Sequence, residues 1–130
     1  MLGAGFYPIT LVEMEEYSTE AGPWLSEEEH DRLKEFLAFH PEIGEVIAGT
    51  NAIRLLRWPV KRLLRGPSYR IMYFFWDLNM PLYLLAIYRK GERIDLSEGR
   101  RQQLADMVGE LIAEHSKQLR ANIIRHNSGG

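Results

Sequence analysis

The sequence predicts an α+β domain in which a small antiparallel sheet packs with two main helices, and three observations carry that prediction. The 130 residues make one domain's worth of chain, enough to bury a sizeable core and too few for two ordinary ones. Three runs rich in β-formers, Ala52–Trp58, Ser68–Leu78 and Leu82–Lys90, follow one another, the first two separated by the basic loop Pro59–Pro67 and the last two by a short link. Helix-start signatures flank them, at Ser26-Glu27-Glu28-Glu29 and at Asp95-Leu96-Ser97-Glu98.

Taken in order, residues 6–13 alternate loosely and favour a first strand, with Pro8 near its beginning or on an edge. Met14–Ala21 reads as a weak helical turn or loop closed by Gly22-Pro23. Ser26 then caps a helix, with Glu29 reaching back and acidic residues filling the first turn. This helix runs to about His40, turns Leu33, Phe36, Leu37 and His40 inward, and is stopped by Pro41. Gly44, Gly49 and Asn51 mark Pro41–Asn51 as a loop. The second and third strand-like runs are joined around Asn79-Met80-Pro81, which favours an antiparallel hairpin. Both are apolar on alternate faces and on most positions, so the sheet should be covered on both sides. Asp95 is expected to cap the last helix, with Glu98 reaching back. Its stripe is Leu104, Met107, Val108, Leu111, Ile112, His115 and Leu119.

Composition narrows the function classes. An apolar share of 45% with 26% charged residues is that of a folded chain, and no stretch approaches the ~18 apolar residues of a membrane span. The absence of cysteine excludes disulfide scaffolds, thiolate zinc sites and cysteine nucleophiles. His30, His40, His115 and His126 show no paired-ligand spacing, so no metal site is expected. The start lacks the charged and apolar regions of a secretory signal, which makes a cytoplasmic location the expectation.

The net charge of −2 conceals a segregation. Residues 1–53 carry 11 acidic side chains against Arg32 and Lys34, or −9, whereas residues 54–101 carry 11 basic against four acidic, or +7. The remainder is neutral. A +7 segment suits a phosphate backbone, because each neutralised phosphate releases counterions. It would equally serve to neutralise the acidic front half within the fold.

An ordered set of motifs resembles the RelE/ParE superfamily of type II toxins, and within it the HigB-type branch. The set is Phe-His-Pro-Glu-Ile-Gly-Glu-Val-Ile-Ala-Gly-Thr (39–50), Ile-Arg-Leu-Leu-Arg-Trp (53–58), a basic loop, Tyr-Arg-Ile-Met-Tyr (69–73), and Tyr-Leu-Leu-Ala-Ile-Tyr-Arg-Lys-Gly-Glu-Arg-Ile-Asp-Leu (83–96). The match runs from about residue 6 to 115, leaving a helical extension and frayed tail. The resemblance implies a microbial-RNase-like fold and a metal-independent, cofactor-free endoribonuclease that cuts mRNA on the ribosome and so inhibits translation. It also implies a cognate antitoxin, a helix-turn-helix DNA-binding protein, whose acidic or amphipathic segment covers the basic middle of the chain.

Carried over position by position, Arg70 falls on the phosphate-stabilising strand arginine, Lys61 on the first lysine of the basic loop, and Lys90 and Tyr88 on the lysine and tyrosine of "Y-x-K". These four are the expected catalytic residues. Arg and Lys suit stabilisation of a phosphorane because they are cationic and offer several donors. Tyr88 and Lys90 share one strand face and Arg89 points to the other. A proton-transfer role for Lys61 or Lys90 requires a lowered lysine pKa. Arg57, Arg62, Arg65, Tyr69 and Arg89 are the expected RNA-binding residues, with Arg54 on the face opposite Arg57. Tyr73, Phe74, Phe75 and Trp76 are read as core. The loop itself departs from the family's Lys-Gly-x-Gly-Lys-Arg-Gly-Gly form, since Leu63 and Leu64 replace glycine and cation. That departure leaves open a non-nuclease member, either a ParE-like gyrase inhibitor or a degenerate antitoxin-binding homologue.

Overall fold

In the computed structural model, which describes residues 8–60 and 67–128, the chain runs β1 (Leu11–Glu13), α1 (Glu15–Trp24), α2 (Glu27–Phe39), β2 (Glu45–Val46), β3 (Ile53–Pro59), β4 (Ser68–Phe74), β5 (Leu82–Arg89) and α3 (Glu98–Ser128). The strands form one sheet in the order β1-β5-β4-β3-β2. Only β1 runs parallel to its neighbour β5, so the sheet is mixed where a purely antiparallel one was expected. A parallel pair needs a long crossover. Here the chain supplies it with both front-half helices and the β3–β4 hairpin.

Alternation along β4 separates two cores. Tyr69, Ile71 and Tyr73 face α1 and α2, where they meet Tyr17, Leu33, Leu37 and Leu84. Met72 and Phe74 face α3, where they meet Ile53, Leu104 and Val108. Cover on both faces is what the apolar strands implied. One irregularity, between Met72 and Tyr73, shifts the β4–β5 register so that Met72 stands opposite Ala86 and Tyr73 opposite Leu84. Leu85 is thereby left over, the local signature of a bulge.

Several boundaries differ from the sequence reading. Glu15–Trp24 forms a helix, because Tyr17 and Ala21, four apart on one face, are both buried. Pro23 sits inside its last turn, where a missing N–H breaks one bond at most. The first strand spans only Leu11–Glu13, with residues 6 and 7 outside the described residues. A two-residue strand, β2, lies within the expected 41–51 loop. β4 ends at Phe74 rather than Leu78, and Asp77 Oδ1 then accepts the Asn79 amide at 2.8 Å in the turn. At α2 the expected Ser26 cap is present, its hydroxyl accepting the Glu29 amide at 3.1 Å, whereas the Glu29 carboxylate turns to Arg32 rather than reaching back. At α3 the cap is Ser97 rather than Asp95: Ser97 Oγ accepts the Arg100 amide at 3.3 Å, and Asp95 accepts the Ser97 amide one step earlier. Leu104 and Val108 are buried, Leu111 and Ile112 half-buried, and Leu119 and Ile123 exposed. A seven- or eight-residue strand spans about 25 Å, whereas the 31-residue α3 spans about 46 Å. The stripe therefore outruns the sheet it covers. No helix among the described residues is long and apolar enough to cross a membrane.

The turn from α2 into the sheet is clamped from β3 and β4. The fully buried Tyr73 donates its hydroxyl to Pro41 O at 2.8 Å and accepts the Gly44 amide at 2.8 Å. Arg54 donates to Glu42 O at 2.7 Å and Gly44 O at 2.8 Å. Gly44 is required by this approach, since a Cβ there would lie 2.9 Å from the Tyr73 ring. Gly44→Ala should therefore destabilise the fold by about 1–3 kcal/mol through overpacking. Tyr73→Phe should cost a similar roughly 1–3 kcal/mol by stranding the half-buried Pro41 carbonyl and the buried Gly44 amide. Urea midpoints of the two variants check both, and a neutral Gly44→Ala would refute the clamp.

Candidate nucleic-acid interface

The β3–β4–β5 register places Arg57 opposite Arg70 and Arg70 opposite Tyr88. Directly opposite residues share a sheet face. These three side chains thus form a row on the α3 face, at the end of the sheet where β3 passes into β4. Lys90 extends the row, since its amide continues the ladder by donating to Ser68 O at 3.1 Å and alternation returns its side chain to the Tyr88 side. Arg57 and Lys90 are exposed, Arg70 and Tyr88 half-buried. Like charges facing one another across β3 and β4 repel, so a bound anion would stabilise the pair.

Arg70 has a second task. Its Nη2 donates to Glu92 O, and also approaches Arg89 O at 3.5 Å, tying β4 to the turn that leads into α3. Neither contact is an ion pair with a front-half carboxylate. A guanidinium has five donors, so these bonds leave others for a phosphate. Tyr88 lies among Glu16 of α1, Glu92 of the turn and Arg100 of α3. Burial pushes its phenol up, the two carboxylates add to that, and Arg100 opposes it. The phenol accordingly keeps its proton throughout the neutral range and can donate it.

Arg89 and Tyr69 do not join the row. They stand opposite one another on the other face of the sheet. Arg89 lies over the Trp24 ring, 5.3 Å from its centroid, and its Nε is 3.9 Å from Glu92 Oε1. Tyr69, at 8% exposure, stacks on Trp24 at 5.8 Å and 10°, which corrects its expected place at an RNA surface: it is core. Arg54 is on that same face, as alternation required, and serves the clamp on residues 42–44. Lys61, Arg62 and Arg65 lie outside the described residues, in the segment that joins Val60 to Pro67. The ends of that segment are bonded, Val60 N donating to Pro67 O at 3.0 Å, beside the row.

The ion pairs bear on the charge segregation. Among the described residues, Glu13 pairs with His30 and Lys34, Glu29 with Arg32, and Glu92 with Arg89. Each joins partners from the same half of the chain. Two front-half carboxylates, Glu13 and Glu29, are thus answered locally, and none of these pairs spends a front-half carboxylate on the row. Glu16 and Arg100 beside Tyr88 escaped the sequence reading. Glu16 fell in a segment read as a weak turn, and Arg100 becomes a third-position helix residue only once Ser97 is seen as the cap. Among the described residues no three His, Asp or Glu side chains gather as metal ligands. No known family model matches the chain.

Arg70→Ala should loosen the turn after β5: hydrogen exchange of the Lys90 and Glu92 amides should accelerate about tenfold, the equivalent of one charged hydrogen bond. Arg57→Ala should leave those amides unchanged. Equal protection in both variants would remove the structural half of Arg70's role.

Proposed function

We propose that this chain is the toxin component of a type II toxin–antitoxin system, with a RelE-like fold, and that it acts as an endoribonuclease on mRNA at the ribosome. The observation that carries the reading is the Arg57–Arg70–Tyr88 row, continued by Lys90, at the sheet end that leads into the basic segment 61–66. Supporting it are the motif order in the sequence and the local pairing of Glu13 and Glu29, which leaves the row outside the ion pairs of the described residues.

In this reading the RNA 2′-hydroxyl attacks the adjacent phosphorus in line, giving a 2′,3′-cyclic phosphate and expelling the 5′-oxygen. Arg70 and Arg57 face the charge that builds on the phosphorane, where preorganised cationic donors are most effective. Tyr88, held protonated, donates to the departing 5′-oxygen. A lysine, Lys90 or Lys61, takes the 2′-hydroxyl proton from its neutral amine form, becoming the ammonium. Arg62 and Arg65 hold flanking phosphates, and a cognate antitoxin neutralises the whole. A second reading, a binder without nuclease activity, is favoured by one observation: Arg70 is already engaged with the Glu92 carbonyl.

Induced expression of the wild-type chain beside Arg57→Ala, Arg70→Ala and Lys90→Ala separates the two. The nuclease reading predicts growth arrest with mRNA 5′ ends phased to the reading frame, and cleavage reduced roughly 100-fold or more in the variants. Arrest with intact mRNA would overturn it in favour of the second.

A further inference from the structure

The second half of β3 is an open sheet edge beside an apolar groove. β2 covers only Arg54 and Leu55, so nothing described pairs with β3 beyond Leu55 on that side. The direction of the open groups follows from alternation. Ile53 turns its carbonyl outward, to the Ile47 amide at 2.8 Å, whereas Val60 bonds inward, to Pro67 at 3.0 Å. The register between them is unbroken. Arg57 therefore directs both its amide N–H and its carbonyl outward, and Pro59 directs a carbonyl outward with no N–H to offer.

Next to this edge, α2 and β3 enclose a groove of about 520 Å³ lined by Phe36, Phe39, His40, Leu56 and Trp58, with Arg32 and Glu35 on its rim. Phe39 is 42% exposed, and Ile43 and Val46, just beyond, are each 52% exposed. The buried Trp58 Nε1 has no acceptor among the described residues. Natural proteins protect open edges with prolines and charges. Pro59 closes one end of this one, and between it and Leu55 one residue, Arg57, presents an open N–H and C=O.

We infer that this edge and groove dock an extended segment of a partner protein as an added strand, with an apolar–acidic–apolar sequence at its centre. The main chain demands an extended partner, because only a strand satisfies outward N–H and C=O groups in register. The side chains dictate its sequence. Leu56 and Trp58 point to the groove, so the residues opposite them are apolar. Arg57 points to the other face, beside Arg70, so the residue opposite it is acidic and relieves a like-charge pair. The docked acid would occupy the Arg57 end of the row and compete with a polyanion there. The docking itself rests on main-chain geometry and holds whether or not the row cleaves RNA.

The probe is an acetylated and amidated heptapeptide, Thr-Ser-Ile-Glu-Val-Ser-Thr, titrated into the full chain while amide shifts are followed. Binding below millimolar, with shifts confined to β3 beyond Leu55 and to the end of α2, is expected. N-methylation of the peptide's glutamate should weaken binding at least about tenfold by removing the donor to the Arg57 carbonyl. Arg57→Glu should weaken it comparably while the methylated and parent peptides still differ. Binding that ignores N-methylation would overturn the inference. So would no binding at millimolar peptide, shifts centred on Leu119 and Ile123, or a dimer of the chain formed through this edge.

Discussion

The register of β3, β4 and β5 is the constraint on which the rest of the structure depends. Strand side chains alternate, so a slip of one residue would exchange the two faces of the sheet. Tyr69, Ile71 and Tyr73 would leave the α1–α2 core, and Met72 and Phe74 would leave α3. Because both faces are covered, neither exchange is tolerated, and the register is held from two sides at once. The same register that buries Ile71 and Met72 sets Arg57, Arg70 and Tyr88 opposite one another. A cationic row beside a protonated phenol is thus a by-product of core packing, its backbone positions set by the register that builds the core.

Charge follows a similar economy. The front half holds most of the acid, yet His30, Lys34 and Arg32 answer Glu13 and Glu29 locally on α2 and β1. Arg54, the cation nearest to the front half in sequence, spends itself on two carbonyls of the turn after α2. The row is left facing solvent and the turn after β5. Arg70 couples them: the guanidinium that would meet a phosphate also holds the Glu92 carbonyl, so binding an anion and ordering the entry to α3 are linked through one side chain.

Much of this was legible in the sequence, and what was missed has physical causes. Ser26 and Glu29 announced α2 because a cap is a local hydrogen bond between near neighbours. The β4–β5 hairpin and the two-sided cover followed from apolar density. The face shared by Tyr88 and Lys90 followed from a period of two. By contrast, α1 exists because Tyr17 and Ala21 bury against distant strands, which overrides the breaking tendency of Gly22 and Pro23. The parallel placement of β1 and the two-residue β2 are decided by tertiary pairing alone. Tyr69 looked like a surface aromatic beside a basic loop, and only the position of Trp24 shows it to be core. The basic segment's own departure from glycine-rich form was evident from the start, and it directs attention to the parts of the site that the strands themselves supply.

The central claim is that the row on the α3 face receives a nucleic-acid backbone. Titration of the protein with a short single-stranded 2′-O-methyl RNA, which cannot be cleaved by its own 2′-oxygen, tests it most directly when read through amide and side-chain shifts. The account predicts shifts at Arg57, Arg70, Tyr88 and Lys90 that weaken steeply with added salt, as release of counterions requires. Shifts confined to the opposite face, around Trp24 and Arg89, or binding indifferent to salt, would contradict it.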